Sequence, residues 1–205
     1  VLDPLVRPLI DPLLDRLGRH VARAGVRPNS VTLAGLALGL ASAGLIAIGA
    51  FLPALGLLLA SRLADGLDGA VARATRRTDF GGYLDIVADF AFYGAVPLGF
   101  VALDPAANGL AGAFLIATFY VNGASFLGFA ILAEKHGLTT TARGAKNLYF
   151  SGGLLEGTET IAFFVALCLL PAAFPALATA FGALCLLTAA TRVAHARRRF
   201  GAPRD

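Results

Sequence analysis

Long apolar runs broken by short polar connections dominate this chain. A helix that crosses a bilayer needs about 20 mostly apolar residues, and runs of that length recur six times, at 31–51, 54–75, 82–103, 109–133, 148–170 and 174–195. The expected fold class is all-α, a polytopic membrane protein of six transmembrane helices. Small residues within the runs, such as Gly35, Gly39, Gly44 and Gly49, allow close helix approach where lipid offers no hydrophobic drive for association. The first 27 residues follow a different pattern. Pro4, Pro8 and Pro12 discourage helix before Asp11, which is placed to cap a helix with Pro12 in its first turn and Gly25 beyond its end. Leu13, Leu14, Leu17 and Val21 then share a face opposite Arg16, Arg19 and Arg23, the pattern of an amphipathic helix lying among lipid headgroups. Pro28-Asn29-Ser30-Val31-Thr32 ends that helix and opens the first span, with Asn29 or Ser30 as its N-cap. The expected organisation is residues 1–27 as a juxtamembrane helix, 28–196 as a six-helix membrane domain and 197–205 as a basic tail, without an internal repeat.

Composition agrees with this pattern. The 205 residues are 57% hydrophobic, against 45–50% apolar residues in an ordinary soluble domain. The basic residues set the orientation. Arg7, Arg16, Arg19, Arg23 and Arg27 precede the first run, and Arg73, Arg76 and Arg77 follow the second; Lys135, Arg143 and Lys146 follow the fourth, and Arg192, Arg197, Arg198, Arg199 and Arg204 close the chain. The connections at 51–53, 104–108 and 170–175 carry no Lys or Arg, and Arg62 alone stands away from the ends of a run. By the positive-inside rule both termini face the cytoplasm, and the expected location is a bacterial inner (cell) membrane. The net charge of +4 thus describes one membrane face and no nucleic-acid footprint, a face that attracts anionic membrane lipids or phosphorylated substrates. Cys168 and Cys185 lie within the fifth and sixth runs with no metal-ligand spacing around them, so small-residue packing is expected of both. The chain contains no Met; its native start is expected to lie outside the sequence, and no stretch resembles a signal peptide.

Four carboxylates interrupt this apolar chain. Asp65 and Asp68, three apart, share a helix face at the end of the second run; Asp85 and Asp89, four apart, share one at the start of the third. Two helices joined by a short turn then direct all four into one gap. Charge near bilayer depth is expensive and marks a functional site by default, and clustered carboxylates need compensating charge to remain ionised. Hard divalent cations provide it, and oxygen-only ligands suit Mg²⁺ or Mn²⁺. Gly66, Gly69, Gly81 and Gly82 leave room for a ligand, and Arg73, Arg76 and Arg77 offer guanidinium donors to phosphate. Metals, carboxylates, glycines and arginines together describe phosphoryl transfer. Arg62, one turn before Asp65, is expected to neutralise part of the acidic cluster.

The run Asp65-x2-Asp68-Gly69-x2-Ala72-Arg73-x7-Gly81-x3-Asp85-x3-Asp89 fixes eight positions over 25 residues and resembles the signature of the CDP-alcohol phosphatidyltransferase family. The six-run layout, the amphipathic helix before it and the Pro-Asn-x-x-Thr stretch extend the resemblance over nearly the whole chain. It implies an enzyme of phospholipid biosynthesis that transfers a phosphatidyl or other substituted phosphate group from a CDP-linked lipid donor to a small alcohol acceptor and releases CMP. Two divalent ions, Mg²⁺ or Mn²⁺, are implied: one held by Asp65, Asp68 and Asp85, the other by Asp89 with Asp65 and Asp85. Asp89 is also the implied general base. Gly69, Arg73 and Gly81 match the family's CDP-binding positions, Asn29, Thr32 and Thr78 are further donor-binding candidates, and a homodimer is implied.

Acceptor choice must reside elsewhere, and the stretch 143–160 is the candidate. Glu156 and Glu159, one helical turn apart inside the fifth run, are expected to face a cavity. Arg143 and Lys146 suit a phosphorylated polyol such as glycerol phosphate or inositol phosphate, which is the expectation; an amino alcohol such as serine, choline or ethanolamine would instead use the glutamates and Tyr149. A divalent-cation transporter is the rival of another class. It would hold its acids near the bilayer midplane between repeated halves, whereas these acids sit at the ends of two runs. A purely structural scaffold has no use for four clustered acids.

Overall fold

The computed structural model describes residues 3–138, 155 and 157–201, and contains helices and short connections with no strand among the described residues. The helices are α1 (Asp3–Arg23), α2 (Pro28–Ala47), α3 (Phe51–Ala74), α4 (Asp79–Leu103), α5 (Pro105–Lys135), α6 (Gly157–Leu169) and α7 (Phe174–Phe200), with a single 3₁₀ turn at Pro171–Ala173 before α7. Four stretches are long and apolar enough to cross a membrane: Pro28–Ala47, Asp79–Leu103, Pro105–Lys135 and Pro171–Phe200. The 24-residue α3 matches them in length but carries Arg62, Asp65, Asp68 and Arg73. Of the expected fifth run, 148–170, α6 accounts for the 13 residues Gly157–Leu169.

Two helix starts differ from expectation. Helix α1 begins at Asp3 rather than near Asp11 and runs through Pro8 and Pro12. Proline removes the bond to the carbonyl four residues earlier, so with Pro4, Pro8 and Pro12 spaced by four the missing bonds fall in one row and the other rows stay intact. Helix α2 begins at Pro28, with Arg27 as the extended N-cap residue (φ −82°, ψ 143°) and no side-chain cap. Proline's fixed φ suits the first helical position, which draws Asn29 and Ser30 into the first turn instead of leaving either as the cap. The expected stop at Gly25 is present: its φ of 79° is left-handed, a conformation that costs glycine little. Helix α4 is capped by Thr78, whose Oγ1 accepts the Gly81 N–H at 3.0 Å.

Helix α2 packs along both α3 and α4, α5 packs along α7, and α1 lies on α3. Small residues set the closest approaches. A methyl group on Gly99 of α4 would stand 2.6 Å from the Ala43 carbonyl oxygen of α2, and one on Gly39 would stand 2.6 Å from Cδ2 of Phe92. The core is aromatic. Phe92, Phe100, Phe164 and Phe174 are fully buried; Phe100 stacks on Phe174 at 4.6 Å and Phe163 on Phe181 at 4.0 Å between ring centroids. Buried polar groups find carbonyl partners, Ser42 donating to Ala54 at 2.7 Å and Asn108 Nδ2 to Phe100 at 2.8 Å. Cys168 and Cys185 are buried and unbridged. Leu33, Leu40, Leu98 and Leu110 point outward, giving an apolar outer surface that suits lipid rather than water.

The Gly99–Ala43 approach makes a test of this packing. Gly99→Leu is expected to lower thermal stability in detergent by about 1–3 kcal/mol, the usual cost of overpacking. Gly44→Leu, at a position with no neighbour within 4 Å, should change it by about 0.5 kcal/mol or less. Equal melting of both variants, followed by circular dichroism, would contradict the close α2–α4 contact.

Candidate active site

Helices α3 and α4 pack on α2 far more than on each other. The gap this leaves between them is lined by carboxylates and crossed by an arginine. Arg62 Nη1 on α3 lies 2.8 Å from Asp89 Oδ1 on α4 and 3.6 Å from Asp65 Oδ1 on its own helix. Its surroundings fix it closely. The side chain is 8% exposed, the guanidinium carbon lies 3.9 Å from the centroid of the Phe92 ring, and Nη2 donates to Ser61 Oγ at 3.1 Å. Ser61 in turn donates to the Gly35 carbonyl at 2.7 Å, so a chain of polar contacts runs from α2 through α3 to α4. The buried Nε has no hydrogen-bond partner among the described residues; its edge of the guanidinium adds charge to the site without a bond of its own.

Oxygens of Asp65, Asp85 and Asp89 lie within 4.8 Å of one another. That is about the spread of ligands around one hard cation, given metal–oxygen distances of about 2.0–2.6 Å, and the all-oxygen donor set fits Mg²⁺ or Mn²⁺ better than a softer metal. Asp68 stands apart from this group. It is buried, and its Oδ2 accepts from Thr32 Oγ1 of α2 at 2.5 Å. Clustered carboxylates need compensating charge to remain ionised, and a divalent ion would add to what Arg62 supplies.

The expected donor-binding residues gather at the same end, where α2 begins, α3 ends and α4 begins. A methyl group on Gly81 would meet Thr78 Oγ1 at 3.1 Å and Asn29 Oδ1 at 3.2 Å, and one on Gly69 would meet Arg73 Nη1 at 3.4 Å. Thr32 is buried against Asp68. Arg73 also reaches away from the gap, its Nε and Nη2 donating to Asp15 Oδ1 of α1 at 3.0 and 2.7 Å. Arg76 and Arg77 lie on the exposed turn between α3 and α4. Of the expected acceptor residues, Glu159 is half-buried in the first turn of α6, while Arg143, Lys146 and Glu156, like Tyr149, lie outside the described residues.

Two residues gain a place here that the sequence does not point to. Asp15 is one of several charges on α1, and nothing in its spacing links it to Arg73, 58 positions away. Arg192 reads as one more basic residue at the end of the last run, yet it is 7% exposed. Its Nη1 donates to Ser125 Oγ at 2.6 Å and to Asn122 Oδ1 at 2.9 Å, tying α7 to α5. Its position inside the run 174–195, ahead of the Arg197–Arg199 cluster, is the signal that sets it apart.

Comparison with known proteins places this site in context. The sequence profile of the CDP-alcohol phosphatidyltransferase family matches residues 25–194. The inner membrane protein YnjF of Escherichia coli is 47% identical over 192 residues, covering 94% of this chain and 91% of that protein. An archaetidylinositol phosphate synthase of Pyrococcus horikoshii is 35% identical over 97 residues, 41% of this chain and 45% of that protein. Among solved structures, the phosphatidylinositol phosphate synthase of Mycobacterium tuberculosis with CDP-DAG bound superposes with a TM-score of 0.76 at 22% identity, covering 95% of this chain and 98% of that one; the same protein is also solved with manganese and citrate. The two chains share a fold. Apolar helices and likeness to an inner membrane protein identify the chain as an integral membrane protein.

Removing the arginine from the gap tests the electrostatics. Arg62→Met should destabilise EDTA-treated protein by on the order of 2 kcal/mol, at or below the low end for breaking a buried pair because Asp89 and Asp65 are partly exposed. Arg62→Lys should lose less. Unchanged melting of Arg62→Met without divalent ions would mean that the carboxylates do not depend on this charge.

Proposed function

The chain belongs to the CDP-alcohol phosphatidyltransferase family, and from that premise we propose that it transfers a phosphatidyl group from CDP-diacylglycerol to a phosphorylated polyol, glycerol phosphate or inositol phosphate, with release of CMP. The observation that carries the proposal is the convergence of Asp65, Asp85 and Asp89 in one gap, beside Asp68 and the Gly69–Arg73 contact. Asp65, Asp68 and Asp85 would hold one divalent ion and Asp89, with Asp65 and Asp85, a second; bound there, the ions supply neutralisation of phosphate charge. Mn²⁺ in the mycobacterial relative supports Mg²⁺ or Mn²⁺ here.

The chain's own residues divide the remaining work. Gly69 and Gly81 leave the backbone open to the CDP moiety, Arg73 supplies guanidinium donors to its phosphates, and Asn29, Thr32 and Thr78 complete the donor side. Asp89, oriented by Arg62, takes the proton of the acceptor hydroxyl. The freed oxygen forms a bond to the lipid-side phosphorus as the bond from that phosphorus to the bridging oxygen breaks, and CMP departs with that oxygen. Arg143 and Lys146 would meet the acceptor's phosphate, with Glu156 and Glu159 on its hydroxyls. Two relatives named as inositol-phosphate lipid synthases support this acceptor class over an amino alcohol.

The same reading orders the chain in the membrane. Residues 1–27 would be the juxtamembrane segment that carries the amphipathic α1, 28–196 the transferase domain and 197–205 the basic end of the chain. The charged α3 and the segment ending in α6 join the four apolar stretches to make six spans, with both termini and the site on the cytoplasmic side, where the basic residues collect. A homodimer is supported by Gly94, Gly109 and Gly128 on α4 and α5, which have no neighbour within 4 Å and would admit a second copy closely.

Purified protein should release CMP from CDP-diacylglycerol in the presence of Mg²⁺ or Mn²⁺ and one acceptor among glycerol phosphate, inositol phosphate, inositol, serine, ethanolamine and choline. Asp89→Asn should cut turnover by about 10²–10⁴-fold, the usual contribution of a general base, while CDP binding stays within a few-fold. Stimulation by an amino alcohol would overturn the acceptor class, near-normal turnover of Asp89→Asn would overturn the base, and failure to bind CDP would overturn the donor reading.

A further inference from the structure

Helix α1 is seated on the site rather than merely beside it. Two small-residue contacts bring it onto α3: a methyl group on Gly66 would stand 2.8 Å from Leu14 Cδ1, and one on Gly18 would stand 2.7 Å from the Ala70 Cβ. Leu14 is buried at this seam while its neighbours Leu13 and Leu17 stay exposed. Between the two contacts, one residue beyond Leu14, lies Asp15.

Asp15 Oδ1 accepts from both Nε and Nη2 of Arg73, at 3.0 and 2.7 Å. A guanidinium has five N–H donors in a rigid plane, so holding the Nε–Nη2 edge fixes the direction of the third nitrogen. That nitrogen, Nη1, lies over Gly69: a methyl group there would meet it at 3.4 Å. Arg73 is therefore clamped from outside the gap by α1 and presents its remaining donors above the glycine at which the donor is expected to approach. Both side chains of the pair are about two-fifths exposed, 38% for Arg73 and 40% for Asp15. An exposed ion pair of this kind adds little to stability, which leaves orientation as what it contributes.

We propose that Asp15 is a positioning residue of the donor site: from α1 it aims Arg73 at the phosphates of the CDP-linked donor, so that donor affinity depends on the docking of the N-terminal helix. The proposal rests on the reading of Gly69 and Arg73 as donor-binding residues. Without Asp15 the guanidinium regains rotamer freedom that must be lost again when a phosphate binds, and the loss should fall on binding rather than on the chemical step.

The test is CDP titration by calorimetry on the full-length protein with Mn²⁺ present, joined to steady-state kinetics with CDP-diacylglycerol. Asp15→Ala should weaken CDP binding and raise the donor KM by about 3–10-fold, with kcat within about 2-fold, and Asp15→Glu should recover part of the loss. The effect should vanish when Arg73 is already alanine, as expected of residues that act as a unit. Asp11→Ala, which removes a like charge from the same helix, should leave both parameters unchanged. Three outcomes would overturn the proposal: CDP binding by Asp15→Ala equal to or tighter than wild type while Arg73→Ala binds weakly, an equal loss in the Arg73→Ala background, or a fall in kcat with KM unmoved. If wild-type protein binds CDP and Arg73→Ala binds it equally well, the donor reading of Arg73 fails and the proposal fails with it, a result distinct from failure of Asp15 alone.

Discussion

Carboxylates placed among apolar helices need countercharge, and Arg62 is placed to supply it. Arg62 contacts Asp89 and Asp65 together, lies over the Phe92 ring and is held by Ser61, which is itself bound to the α2 backbone. Taking such a pair out of water is expensive, and it persists when the geometry is good and further hydrogen bonds satisfy the remaining groups. Here the contacts of Arg62 and Ser61 tie α2, α3 and α4 to a common point. Oxygens of Asp65, Asp85 and Asp89 also gather there, a donor set that suits a hard divalent cation as well as an arginine.

The packing serves the same end. Because α3 and α4 both lean on α2 and scarcely on each other, the space between them is left to polar side chains. Gly39 and Gly99 let α2 come close enough to α4 to hold that arrangement, one beneath Phe92 and the other against the Ala43 carbonyl. Phe92 thus has two duties, filling the core and providing the π face for Arg62. Away from the gap the stacked rings between α4, α6 and α7 give the bundle its body, and Arg192, also buried, secures α7 to α5 by donating to neighbouring oxygens.

Much of this was legible in the residues. Helix periodicity puts Asp65 with Asp68 and Asp85 with Asp89 on one face each, and the structure gathers Asp65, Asp85 and Asp89; Arg62 stood out as the one Lys or Arg away from the ends of an apolar run. The apolar runs predicted helices at the positions where α2, α4, α5 and α7 lie. What was not legible depended on backbone detail or on distance in sequence. Proline spacing of four let α1 start at Asp3, since the lost hydrogen bonds fall in one row, and Pro28 took the first position of α2 ahead of Asn29. Asp68, three residues from Asp65, turned out to be engaged with Thr32 of another helix rather than gathered with the other three, because helix spacing says which face a residue occupies and not what waits opposite. Asp15 and Arg73 meet only because two glycines let α1 settle on α3, a contact that no local pattern encodes.

The mechanism proposed for this chain requires a two-ion acidic site in the gap between α3 and α4. Anomalous diffraction from crystals grown with Mn²⁺ tests it most directly. Two manganese peaks are predicted in the gap, one contacted by Asp65, Asp68 and Asp85 and the other by Asp65, Asp85 and Asp89. No manganese in the gap at saturating Mn²⁺, or a single ion with Asp68 still turned to Thr32, would contradict it.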